Sequence, residues 1–256
     1  MSEPLDAALP DASSLDLGEV KVRYRNGSGK FVDCSLDFLP VDEVLQGMPV
    51  REVRWFAGRA SYSGWYWSST MRGHVVYESR LELARILLAD HDRGVAAIAA
   101  QPFLLEWFDG KRMCRHVPDL LLGGADGSVT VVDVKAASRL QNPSVVAQFA
   151  WTRQLCALRG LGFEVWSGTE AALLENIRFL AGYRRPELIA SELLPSVLAA
   201  AVAPVSVLEL ERVLDGAGCR GLVRPAVLHL LWSGQLSTDL SRLLDGDSLV
   251  RAGAAS

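Results

Sequence analysis

Apolar positions along the chain change their period several times, and each change predicts an element. Residues 20–25 and 31–36 alternate about Asn26-Gly27-Ser28-Gly29, the pattern of a β-hairpin. From 77 to 90 the spacing of Tyr77, Leu81, Ala84 and Leu88 is helical. Residues 101–108 read as a strand turned at Asp109-Gly110, and 116–122 and 128–135 read as two more strands about Gly123-Gly124-Ala125-Asp126-Gly127. A second helix over 144–159 stops at Gly160, and 163–166 is a short strand. The order helix, three strands, helix, strand predicts a mixed α/β core.

The flanks differ in character. Residues 1–16 are Ala, Ser, Asp and Pro without periodicity and predict a disordered tail. A β-rich extension over 17–72 precedes a core at 73–180, and a helical connector at 181–204 follows, beginning near Tyr183-Arg184-Arg185-Pro186. Within 205–256, helical stretches at 205–214 and 223–232 and a wing at 235–250 predict a winged-helix-like module, a pattern that small three-helix bundles share. Trp55, Phe56, Tyr62, Trp65, Tyr66 and Trp67 crowd one segment of the extension. Such rings can stack on bases, but the usual fate of aromatics favours a flap that buries them against the domain body.

Side chains alternate faces along a strand, so folding the ribbon about Asp126 sets Asp119 opposite Asp133 and places both on the face of Lys135. Two facing carboxylates repel. A hard divalent cation between them removes the repulsion, since magnesium takes carboxylate and water oxygens. Asp119 and Asp133 are therefore candidate ligands, with the Val134 carbonyl a third and a carboxylate from the preceding helix a fourth. Glu78 and Glu82 share one helix face and compete for that last place. Lys135 could orient or deprotonate a water, or neutralise charge in a transition state.

Each residue also has an ordinary reading: an Asp119–Lys135 ion pair, Asp133 at a sheet edge, Glu82 paired with Arg85 on a solvated helix face, Gln148 facing solvent rather than backing the site. Against these, Asp133 sits among Val129, Val131, Val132 and Val134 and needs a compensating partner there. His74, His91, His116 and His229 are scattered, with no ligand spacing and no nucleophile partner, and phosphate-binding glycine loops are missing.

Of the 256 residues, half are apolar, enough for a sizeable core. The four cysteines form no CxxC pair, which fits a reducing, cytoplasmic setting without disulfides or structural zinc. The first residues lack a secretory pattern, and the apolar run 193–208 is broken by Pro195 and Pro204, so no membrane association is expected. A net charge of -4 supplies no global attraction for nucleic acid, and any DNA contact must come from local arginines or a partner.

The set Ser79-Arg80-Leu81-Glu82, Gln101-Pro102, Val117-Pro118-Asp119-Leu120 and Val131-Val132-Asp133-Val134-Lys135 resembles the restriction-endonuclease-like PD-(D/E)xK superfamily. Within it, the chain is most similar to the TnsA-like endonuclease subunits of heteromeric transposases, over roughly residues 77–166. The resemblance selects Glu82 over Glu78 and implies Glu82, Asp119, Asp133 and Lys135 as the catalytic set, with Mg2+ as cofactor and Mn2+ able to substitute. It further implies nicking of the non-transferred strand at transposon ends, an integrase-like transposase partner and an AAA-type ATPase regulator. Some relatives carry Gln in place of Asp133. Two other readings stay open: a stand-alone restriction or repair nuclease that needs no partner, and a non-catalytic DNA-binding assembly protein.

Overall fold

A computed structural model describes residues 16–51, 62–108, 112–215 and 221–253. Residues 1–15 of the expected tail, Trp55 and Phe56 of the aromatic segment, and the Asp109-Gly110 turn lie outside the described residues. The chain is mixed α/β, with several sheets and seven α-helices among the described residues. It divides into two compact units, one holding residues to Ala89 and Gly94–Gly168, the other Asp90–Arg93 and residues from Thr169 onward.

The first unit runs β1 (Lys21–Arg25), β2 (Phe31–Ser35), α1 (Val41–Leu45), β3 (Gly64–Ser68), β4 (Gly73–Tyr77), α2 (Arg80–His91), β5 (Val95–Ala100), β6 (Phe103–Phe108), β7 (Met113–His116), β8 (Leu120–Gly124), β9 (Val129–Val134), α3 (Pro143–Leu158) and β10 (Gly162–Trp166). Two four-stranded sheets form, ordered β2-β1-β6-β7 and β10-β9-β8-β5, and β3 pairs with β4 alone. In the second sheet β5, β8 and β9 are successively antiparallel while β10 is parallel to β9, a connection made through α3.

Four expectations are corrected here. The strand expected over 101–108 belongs to the first sheet as β6, and the neighbour of β8 is β5, whose sequence Val-Ala-Ala-Ile-Ala-Ala carries too few β-branched residues to read as a strand. The strand expected over 116–122 is two strands in different sheets, parted at Val117-Pro118-Asp119, where Pro118 has no N–H for a ladder. Tyr77 ends β4 rather than opening the helix, which starts at Arg80 behind Ser79. The N-terminal hairpin is not a separate extension, because β1 pairs with β6.

The two sheets face each other across one core. Val22, Tyr24, Phe103, Leu105 and Trp107 of the first meet Ala97, Ala99, Leu121 and Val131 of the second, closed at one side by Trp151 and Leu155 of α3. Each such large apolar side chain contributes about 1.5–3 kcal/mol on burial. Leu120, Leu122, Val132 and Val134 point to the opposite face of the second sheet, and all are buried. On that side Arg85 of α2 grips Glu164 of β10 through two hydrogen bonds of 2.8 and 3.0 Å. This replaces the Glu82–Arg85 pairing considered above.

The second unit holds α4 (Ala171–Leu180), α5 (Leu194–Ala200), β11 (Val205–Ser206), α6 (Val207–Asp215), α7 (Val223–Trp232), β12 (Leu236–Ser237) and β13 (Leu249–Ala252). Its strands form one small sheet, β11-β13-β12. The core expected to reach residue 180 ends earlier, because α4 lies in this unit: Asn176 donates to the Leu240 and Arg242 carbonyls and accepts from the Leu244 N–H. In α7 every residue from Ala226 to Trp232 is buried.

Candidate active site

The site grows out of the place where the two sheets part. After β5 the chain leaves the second sheet at Gln101-Pro102, makes the β6–β7 hairpin in the first, and returns through Val117-Pro118-Asp119. The two crossing points are tied by the Gln101 N–H, which donates to the Asp119 carbonyl at 2.9 Å. Gln101 holds φ at +47°, a left-handed conformation costly for a side-chain-bearing residue, and its buried Oε1 has no hydrogen-bond partner among the described residues.

Register across the β8–β9 ribbon is Leu120↔Val132, Leu121↔Val131 and Leu122↔Thr130, so the next step sets Asp119 against Asp133. The turn closes through the Gly124 N–H on the Ser128 carbonyl, with Gly127 at φ +83°. Asp119 Oδ2 accepts the Val134 N–H at 2.7 Å. Its carboxyl is pushed up to about 7, first by burial, then by the charges of Glu82 and Asp133; the Val134 N–H and Lys135 oppose the rise. Glu82 is also raised, chiefly by burial, and Lys135 counteracts this too. Glu82, Asp119, Asp133 and Lys135 therefore share one electrostatic neighbourhood.

Two members do more than the sequence suggested. Glu82 closes a helix cap: the Ser79 hydroxyl accepts the Glu82 N–H at 3.1 Å and donates to Glu82 Oε1 at 2.9 Å, while Oε2 accepts the Glu78 N–H at 2.7 Å. Ser-x-x-Glu is a capping-box signature, readable in the sequence as a helix start. Glu78 contributes a backbone donor to this cap and a like charge beside Glu82.

Asp133 is only 2% exposed and lies on the α3 side of its sheet. There its Oδ2 accepts a hydrogen bond of 2.9 Å from Nε2 of His116, a residue that neither spacing nor motif marks. Gln148 of α3 donates through Nε2 to His116 Nδ1, so it backs the site instead of facing solvent. Trp151 packs edge-on against the imidazole, with ring centroids 6.1 Å apart. Burial and then the charge of Asp133 push the neighbouring Cys156 thiol up to about 12, so that thiol stays protonated and inert.

Three acidic groups, Glu82, Asp119 and Asp133, stand together with one ammonium to offset them, and the buried Asp119 carboxyl resists ionising without further positive charge. Among the described residues no three acidic, histidine or cysteine side chains form a group that could hold a metal ion as placed. The neighbourhood is thus coupled in charge without being a finished cage. Of the aromatic segment, Tyr66 is buried, while Tyr62 and Trp65 are exposed, with the Arg80 guanidinium 4.9 Å from the Tyr62 ring centre. Among the described residues no helix is long and apolar enough to cross a membrane. The chain matches no known family model and no curated protein.

Proposed function

We propose that this chain is a Mg2+-dependent DNA endonuclease with a restriction-endonuclease-like core, acting as the strand-nicking subunit of a heteromeric transposase. Support for the architecture comes from the succession α2, β5, β8, β9, α3, β10 and from the parallel placement of β10 beside β9 in one mixed sheet. The observation that carries the chemistry is Asp119, a buried carboxyl raised to about 7 among Glu82, Asp133 and Lys135. Strongly perturbed acids cluster at functional sites, which is what supports a catalytic reading of this group.

Asp119, Asp133, Glu82 and the Val134 carbonyl would hold the ion. Bound there, a divalent cation polarises a phosphate and lowers the pKa of a coordinated water. The chain's own contribution is to fix the carboxylates. The Val134 N–H orients Asp119, and the helix cap orients Glu82. Lys135 sets a positive charge beside both, where the phosphate's negative charge is to be met.

The second unit supports a partner role. Its order α5, β11, α6, α7, β12, β13 with a β11-β13-β12 sheet is that of a winged helix, but α7, the helix that would read a DNA groove, is enclosed. Its first-turn Arg224 is held by Glu211. This arrangement favours docking to protein partners, an integrase-like transposase and an AAA-type ATPase, over direct DNA reading by that helix. The chain's acidity then matters less, because the partners bring the DNA.

One observation favours a non-catalytic reading: Glu82 and Asp133 each serve a structural bond, to a helix cap and to His116. Mutation separates the two. Asp119→Ala and Asp133→Ala should fold yet lose Mg2+-dependent cleavage by at least ~100-fold when assayed with the partner present. Full activity in either variant removes the proposed site.

A further inference from the structure

We propose that His116 is a positioning residue of this site, transmitting the placement of α3 to Asp133 through the chain Gln148–His116–Asp133. The inference rests on the nuclease reading above and adds a residue that neither motif nor spacing marks. Donation from Gln148 Nε2 occupies His116 Nδ1 as an acceptor, which leaves the ring proton on Nε2, and that proton is given to Asp133 Oδ2. The other oxygen of Asp133 is left for a second partner, on the strand where Asp119 stands opposite.

Asp119 and Glu82 are oriented by backbone N–H groups, of Val134 and Glu78. Asp133, deep in a strand of valines, has its orientation set by the imidazole, and the Trp151 edge and the Gln148 amide hold that ring. A carboxylate ligand held by an outer hydrogen bond is a recurrent device, and losing the outer partner typically weakens metal affinity or activity by about 10–100-fold. A merely structural buried pair predicts a different result, since removing one partner destabilises the whole fold and any loss of ion binding then follows the melting temperature.

The test compares full-length wild type, His116→Phe, His116→Gln and Gln148→Leu. Phenylalanine keeps the ring packing on Trp151 but cannot donate; glutamine keeps a donor near the position of Nε2. Mn2+ binding is followed by calorimetry, melting temperature is measured on the same samples, and the His116 ring nitrogens are observed by 15N NMR without metal. The expected results are the Nε2–H tautomer in the wild type, about 10–100-fold weaker Mn2+ binding in His116→Phe, a smaller loss in Gln148→Leu, and recovery to within about threefold in His116→Gln. Wild-type Mn2+ affinity in His116→Phe overturns the role of His116 alone. So does an equal loss in all three variants that tracks melting temperature. Wild-type protein that binds no Mn2+ overturns the nuclease reading itself, and the positioning role falls with it.

Discussion

Asp119 is the residue on which the chemistry turns, and its burial makes a prediction that activity assays do not. Its carboxyl titrates in the fold near 7, against about 3.9 for an unfolded chain. Because the folded value is the higher one, the folded state binds the extra proton between these limits. Its contribution to stability is complete below about pH 4 and is lost as pH rises through 7. An acid held about three pH units high is worth up to about 4 kcal/mol, an order-of-magnitude ceiling. Asp119→Asn should therefore stabilise the metal-free protein at pH 8 by about 1–4 kcal/mol, with little effect at pH 4, in urea unfolding at the two pH values. A variant less stable than wild type at pH 8 assigns Asp119 a structural role. Lys135→Ala should lose turnover more than ion affinity; calorimetry showing weakened Mn2+ binding with normal turnover contradicts the charge-balancing role of that lysine. Asp119, Asp133 and Lys135 were legible because a turn centred on Asp126 fixes their register. His116 was not, because its partner depends on where α3 packs and on the strand break at Pro118.

Elements with a strong local signal were legible: the hairpin at Asn26-Gly27, the helix stopped by Gly160 at φ +75°, and the ribbon closed by Gly127. Those whose identity comes from their neighbours were not. The alanine-rich β5 is a strand because it pairs with β8 and buries its last four residues, a tertiary requirement that overrides weak propensity. The cap at Ser79 was visible as a pattern, yet the same letters serve a motif, and only the hydrogen bonds show Glu82 doing the structural job. Asn176 is the comparable buried polar device in the second unit, satisfying two carbonyls and one N–H of the 240–244 segment. Asn176→Ala strands those groups and should cost about 2–4 kcal/mol in chemical denaturation. A loss under 1 kcal/mol shows that water replaces the amide at no penalty.

For the whole molecule, a net charge of -4 supplies no global attraction for nucleic acid, and α7 is enclosed. The candidate site lies where two sheets separate, at the ends of β8 and β9, within the first of the two units. Composition set the net charge, but the boundary after Gly168 follows from the Asn176 clamp, which no periodicity reveals. We propose that Asp119 anchors a cation-dependent centre for cutting one DNA strand. Strand-resolved mapping of nicks on a transposon-end duplex, with the full chain, its integrase-like partner and Mg2+, tests it most directly. The expected result is a nick on the non-transferred strand that disappears on chelation and in Asp119→Asn. Nicks that survive both, or no Mg2+-dependent nick from the wild-type pair, contradict it.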